Sequence, residues 1–171
     1  MRVYKLLSYL LDYPGEDLHD NMAALRALAA EAAGDAEERA ALDGFLDYVA
    51  GVDALELQRQ YVETFDLKAQ HSLHLTHHLL GDDKNRGPAL IDLGEYYKAW
   101  GMATIDGELP DYLPLMFEFA ATLEDEEARM FLSQIGKVLT ILAGNLEQGA
   151  SPWAPLVRVG ERRALLVREA A

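Results

Sequence analysis

Asp53-Ala-Leu-Glu-Leu-Gln-Arg-Gln-Tyr-Val-Glu-Thr-Phe-Asp66 places Leu57, Tyr61 and Phe65 four residues apart, which is the spacing of one helix face. Asp53 with Glu56 resembles a capping box, Asp standing where Ser or Thr is usual, so the helix is expected to open there. The same grammar recurs on both sides. Val3, Leu6, Leu7, Leu10 and Leu11 mark a first helix over 3–12, stopped by Pro14-Gly15. An Ala-rich helix is expected from Glu16 to Ala33, ended by Gly34, and Asp35 with Glu38 opens a third.

Downstream, residues 70–80 are expected to form a short helix closed by Gly81, and Pro88 to Trp100 a longer one with Leu90, Leu93, Tyr97 and Trp100 on one face. Asp111 is expected to cap a helix that admits Pro114 in its first turn and carries Leu113, Met116, Phe117 and Ala120. Glu124 to Glu127 suit the start of the next helix, whose buried side is read as Phe131, Ile135, Val138 and Leu142. Ser151-Pro152 starts a last short helix. With Ala and Leu abundant and no convincing strand, the fold class is all-α: a single globular domain over 1–171 of about eight or nine helices.

Composition excludes several classes of function. The chain has 29 Asp+Glu against 15 Lys+Arg, a formal net charge of −14, which repels nucleic acid and anionic lipid and favours basic partners. Zero cysteines excludes disulfides and thiolate chemistry and fits a reducing compartment. The N-terminal apolar run is broken by Ser8 and Tyr9 and lacks a cleavage site, so it reads as a helix rather than an export signal. No stretch reaches the ~20 apolar residues of a membrane span, and a soluble, cytoplasmic protein without stable membrane association is expected. Arg158, Arg162, Arg163 and Arg168 make 158–171 a basic end, read either as a frayed helix or as a segment that occupies the protein's own binding groove.

No nucleophile elbow, phosphate loop or dinucleotide fingerprint occurs, and no enzymatic role or cofactor is expected. His71, His74 and His78 stand at i, i+3 and i+7, one face of a helix, which raises a metal site or a helical metal-binding hydrolase as a competing reading. No His-Glu-x-x-His pattern supports it: Thr76 stands where the Glu would be, so a polar groove edge is the preferred use and no metal is expected. In Tyr61-x-Glu63-x-Phe65-Asp66, Tyr61 and Phe65 at i and i+4 read as core-facing while Glu63 points elsewhere and Asp66 ends the helix; a carboxylate beside an aromatic wall is also a receptor for arginine. Glu108-Leu-Pro-Asp-Tyr-Leu-Pro114 reads equally as a loop-to-helix junction and as part of a binding edge. Arg86 is expected to pair with Asp82 or Asp92.

These patterns, taken in order, resemble the NarJ family of nitrate reductase delta subunits. That family belongs to the redox-enzyme maturation chaperones that include the TorD and DmsD types. The likeness begins at Leu7-Ser-Tyr-Leu-Leu-Asp-Tyr-Pro14 and is strongest from Tyr61 to Phe119. It takes in Tyr61 to Asp66, Ser72-Leu73, His78, Gly81, Arg86-Gly87, Asp92-Leu93 and Glu108 to Leu115. The resemblance implies a TorD-like helical fold and a cytoplasmic chaperone without catalytic residues. Such a chaperone binds the N-terminal segment of the nitrate reductase alpha subunit and keeps it competent for molybdenum cofactor insertion and complex assembly. Cofactor-delivery proteins are further implied partners. The competing client is another molybdenum oxidoreductase, one exported through the twin-arginine route, and a purely structural adaptor is a third reading.

Two departures limit the carry-over. Tyr112 stands where the family pattern has His, so a proton-sensitive role at that position does not transfer. Family members often continue into a long tail, whereas this chain stops at Ala171. The residues expected to contact the client are Tyr61, Glu63, Phe65, Asp66, His74, His78, Tyr97, Glu108, Pro110, Asp111, Leu113 and Phe117. They are expected to wall a groove between the helices of Tyr61, His78, Tyr97 and Phe117, with Glu63, Asp66, Glu108 and Asp111 at an acidic rim. The three histidines would add sensitivity to pH near the usual imidazole value of ~6.5.

Overall fold

The computed structural model describes residues 2–103 and 107–166. Ten α-helices occur among them: α1 Arg2–Leu11, α2 Met22–Ala32, α3 Ala36–Ala50, α4 Ala54–Tyr61, α5 Leu75–Leu80, α6 Arg86–Ala99, α7 Leu113–Thr122, α8 Asp125–Ser133, α9 Gly136–Gln148 and α10 Ala154–Leu165. A π-helical turn at Val62–Asp66 extends α4, and a 3-10 turn at Ala69–His71 follows it. No strand occurs among the described residues; the isolated bridge His74–Tyr112 is the one β-type pairing there.

The apolar stripes decide the packing. Val3, Leu6, Leu7, Leu10 and Leu11 are all buried, which makes α1 a central element packed on α2, α7 and α10. Tyr4 stacks on Phe117 of α7, ring centroids 6.3 Å apart at 4°. Gly160 of α10 lies against the tip of that ring: a Cβ there would stand 2.4 Å from Phe117 Cζ. A second aromatic cluster joins Tyr61 and Phe65 to Trp153 and Phe45. A third joins Tyr96 and Tyr97 of α6 to Phe119 and Phe131.

Caps follow the sequence where they are local. Asp35 accepts from Glu37 N and Glu38 N, and Asp53 from Leu55 N and Glu56 N. Glu38 departs from a capping box: its carboxylate takes Gly34 N at 2.7 Å and Arg163 Nη2 at 2.7 Å. Glu124 and Glu127 form a reciprocal capping box on α8.

Four expectations are corrected. The helix expected from Glu16 starts only at Met22. Residues 15–21 form turns, held by His19 Nε2 facing the Val49 and Val52 carbonyls at 3.0 and 2.7 Å. The helix expected through Phe131 and Val138 breaks at Gln134–Ile135, where buried Gly136 lets Leu165 of α10 come close. That break alone raises the count from nine to ten among the described residues. The third correction is to the 70–80 helix, which is a 3-10 turn, an extended link and α5, so His71, His74 and His78 do not share a helix face.

The fourth concerns the basic end. Arg158 pairs with Glu147 and Glu161, Arg162 with Asp35 and Glu37, and Arg163 with Glu38. Leu156, Val157, Val159 and Ala164 are buried beside them. Residues 158–165 are thus part of the folded core and do not occupy a groove. Arg168 lies outside the described residues.

Candidate functional site

Three sequence motifs that are far apart in the chain converge on Tyr112. From α1, Asp12 accepts the Tyr112 hydroxyl at 2.8 Å. From α4, the Tyr61 hydroxyl donates to Leu11 O at 2.8 Å and lies 3.1 Å from the Tyr112 hydroxyl. The two phenol protons go to Leu11 O and Asp12, so the 3.1 Å approach of the hydroxyl oxygens is a contact beside those bonds, and together they tie α1, α4 and the 108–113 loop. Burial first, then Tyr61 and Asp12 alongside, push the Tyr112 phenol far above its ordinary value, so it remains a neutral donor. Tyr61 is likewise raised by burial.

Asp111 points the other way, inward. It is 1% exposed. Its Oδ2 accepts from Thr76 N at 2.9 Å and Thr76 Oγ1 at 2.5 Å. Thr76 N belongs to the first turn of α5, so Asp111 caps that helix from 35 residues away. The expected cap on α7 is corrected, because Tyr112 stands at the start of that helix without a side-chain cap. Burial opposes ionisation of Asp111, but His74 and the Thr76 donors outweigh it and hold the carboxyl below its usual range. Arg86 donates to Thr76 Oγ1 at 2.9 Å and lies 4.0 Å from Asp111, rather than pairing with Asp82 or Asp92. His74 Nδ1 faces Asp111 Oδ1 at 3.6 Å, just outside hydrogen-bond reach.

Backbone pairing completes the junction: Leu113 N donates to Leu73 O and Leu75 N to Asp111 O. The Tyr97 hydroxyl donates to Pro110 O at 2.6 Å. Tyr61, Asp111, Leu113, Tyr97, Pro110 and His74 are therefore brought together by the structure. Others are not. His78 donates to Ser72 O at 2.7 Å, and burial lowers its basicity. His71 sits between Thr64 O and Asn145 O, linking the π turn to α9. The shared histidine face is corrected accordingly. Among the described residues no group of three or more His, Asp or Glu is placed to hold a metal ion.

The side chains expected to wall a groove between Tyr61, His78, Tyr97 and Phe117 lie largely in the interior. Tyr97 and Phe117 are 0% exposed, Leu113 is buried, and Phe65 packs on Trp153. Their helical spacing signals core, and in this conformation none of them is open to a ligand. The open surface lies beside them. A cleft of about 360 Å³ is lined by Ser8, Asp12, Gly107, Glu108, Tyr112, Pro114, Leu115 and Glu118. Three carboxylates edge it, with Lys5 bound to Glu118 at 3.1 Å. Glu108 was expected at this rim; Ser8, Asp12 and Glu118 were missed, since only tertiary packing of α1 on α7 brings them there.

On the other side of Tyr13 lies a larger cleft of about 770 Å³, bounded by Asp53, Leu55, Glu56, Gln58, Arg59, Val62, Glu63 and Leu67. Glu63, expected at an arginine receptor, is here held by Arg59 of its own helix. Asp66 is exposed at the end of the π turn. Leu55 and Leu67 were missed as well. Both lie off the Leu57–Tyr61–Phe65 stripe, and that displacement is the signal that could have found them.

Among the described residues no helix is long and apolar enough to cross a membrane. The family model for the nitrate reductase delta subunit matches residues 29–158. The chain is 36% identical over 152 residues to the nitrate reductase molybdenum cofactor assembly chaperone NarJ of Escherichia coli (strain K12), covering 88% of this chain and 64% of that protein. A Bacillus subtilis (strain 168) protein whose name assigns it the same role is 35% identical over 156 residues, covering 91% of this chain and 84% of its own. The fold matches a crystal structure from Archaeoglobus fulgidus, described as a redox enzyme maturation protein, with a TM-score of 0.66 at 24% identity over 95% of this chain and 92% of that one. The chain spans less than two thirds of the length of the E. coli relative, yet the family match runs through α3, α4, the π turn and α7. By that match the chain belongs to the nitrate reductase delta subunit family.

Proposed function

We propose that this protein is a cytoplasmic assembly chaperone for a respiratory nitrate reductase. It binds the N-terminal segment of the catalytic alpha subunit and keeps that subunit competent for molybdenum cofactor insertion and assembly, without catalysing a reaction itself. The observation that carries the reading is that the Leu7–Pro14 and Glu108–Leu115 motifs line one cleft edged by Asp12, Glu108 and Glu118, while Tyr61 of the third motif braces Tyr112 from behind. The names of the E. coli and B. subtilis relatives supply the client class.

The chemistry of the cleft suits a basic segment. Its carboxylates attract Lys or Arg, Tyr112 and Pro114 offer aromatic and apolar contact, and Lys5 is an internal cation that a client side chain can replace on Glu118. Buried Asp111 does not bind the client; it sets the position of Tyr112 by fixing the 108–113 loop to α5. The test is co-purification with a tagged alpha subunit, with and without its N-terminal segment. Retention that depends on the segment is the expected result. Equal retention of both forms, or of neither, overturns the reading. Selective capture by a different molybdenum oxidoreductase would move the client.

A further inference from the structure

We propose that the larger cleft beside α4 is a second anchoring site for the same client segment, one that takes apolar side chains flanked by Lys or Arg. The inference rests on the chaperone reading above and extends it to a surface that reading does not use. Leu55 is 74% exposed and Leu67 72% exposed, although Leu57 between them is fully buried. Two leucines so exposed in the lining of one cleft, together with Val62 and Tyr13, form an apolar trough rather than scattered surface residues. The π turn helps to make it. Leu67 N bonds to Val62 O, five residues back, and this wider turn ends α4 with Phe65 in the core and Leu67 outside.

Charge selects the occupant. Asp53, Glu56 and Glu63 edge the trough, and among the described residues Arg59 is the one cation lining it. Arg59 is engaged by both Glu56 and Glu63, which holds the Glu56 carboxyl down to about 2. The rim is therefore net acidic by two charges, three carboxylates less one guanidinium. A second copy of this chain, at −14, is repelled. A segment with basic flanks is attracted. The two clefts are also continuous in the chain: Asp12 lines one and Tyr13 the other. The Tyr13 ring stands edge-on to buried Tyr61 at 5.6 Å, and the Tyr61 hydroxyl lies 3.1 Å from that of Tyr112, so the linings of the two clefts are joined through Tyr61 beneath the surface. A segment held in the acidic cleft is thereby led over Tyr13 into the trough.

The test is fluorescence anisotropy with a labelled synthetic peptide of the alpha subunit's N-terminal segment, titrated with full-length wild type, Leu55→Asp, Leu67→Asp and Glu108→Lys. Both leucines are exposed, so the variants should keep the wild-type circular dichroism spectrum and melting temperature. Losing one leucine anchor should weaken binding about tenfold. Leu55→Asp and Leu67→Asp binding like wild type, while Glu108→Lys binds more weakly, would overturn the second site and leave the chaperone reading standing. Failure of wild type to bind the peptide would overturn the chaperone reading, and this inference with it. A wild-type dimer that Leu67→Asp converts to monomer would assign the trough to a second copy and also overturn the proposal.

Discussion

Replacing Asp111 with Ala removes a carboxylate that caps α5 from across the chain, and the structure sets the size of the loss. Thr76 N–H loses a cap worth about 1 kcal/mol. The Thr76 hydroxyl loses a bond to a charged acceptor, worth about 1.5–3 kcal/mol. Arg86 keeps Thr76 Oγ1 but loses the charge 4.0 Å away. Relief of the burial cost of the carboxylate, which is 1% exposed, offsets part of this. A net destabilisation of about 2–3 kcal/mol is expected, and Asp111→Asn, which still presents an acceptor to Thr76 N–H, should lose about 1 kcal/mol. Urea denaturation followed by circular dichroism measures the difference. Hydrogen exchange adds a local readout, because the Thr76 amide should lose its protection through local opening, over and above the global loss shared by amides of α9. The Leu75 N–Asp111 O bond is main-chain and survives both substitutions, so the effect belongs to the side chain. A loss below about 0.5 kcal/mol for Asp111→Ala, or an unchanged Thr76 amide, would refute the remote cap.

Phe117→Ala should act on folding rather than on binding. The ring is fully buried against Tyr4 and Gly160, so truncation should cost about 3–5 kcal/mol in urea titration. Gly160→Ala should destabilise by about 1–2 kcal/mol although Ala is the better helix former, because its Cβ meets that ring; a stabilised variant would show the close approach to be wrong. Glu38 is 3% exposed, and although burial works against it, Arg163 and Gly34 N hold its carboxyl below the ordinary 4.5. A depressed folded value contributes stability that is present above 4.5 and lost as pH falls through the lower folded value. Wild type should therefore lose more stability than Glu38→Gln on acidification below 4.5; parallel curves would contradict the pairing. Arg163→Met, which strands the buried carboxylate, should cost about 3–5 kcal/mol at neutral pH.

Local rules made α1, α3, α4 and α7 legible, because their stripes and the caps Asp35 and Asp53 depend on residues within a few positions. Features that depend on distant partners were not. Asp111 was read as a local cap, yet it bonds Thr76, and Gly136 breaks a helix only because α10 lies against it. The site divides in the same way. Its motifs were visible in the sequence, but their most aromatic members proved to be core, since helical spacing does not tell a buried stripe from an open wall. Ser8, Asp12 and Glu118 reach the acidic cleft through the packing of α1 on α7, and no local pattern announces that.

The convergence on Tyr112 also bears on the proposed client binding, because it braces the acidic cleft from within the protein. Tyr61, Asp12 and Asp111 fix the cleft floor from three directions, so the carboxylates are in place before a segment arrives.

Isothermal titration of the alpha subunit's N-terminal peptide into wild type and into Glu108→Lys/Glu118→Lys, at low and raised salt, tests the acidic cleft directly. Wild type should bind, more weakly as salt rises, and the charge-reversed protein should lose at least about tenfold in affinity at low salt while keeping its fold. Equal affinity for the two proteins, with no dependence on salt, would contradict capture of a basic segment by these carboxylates.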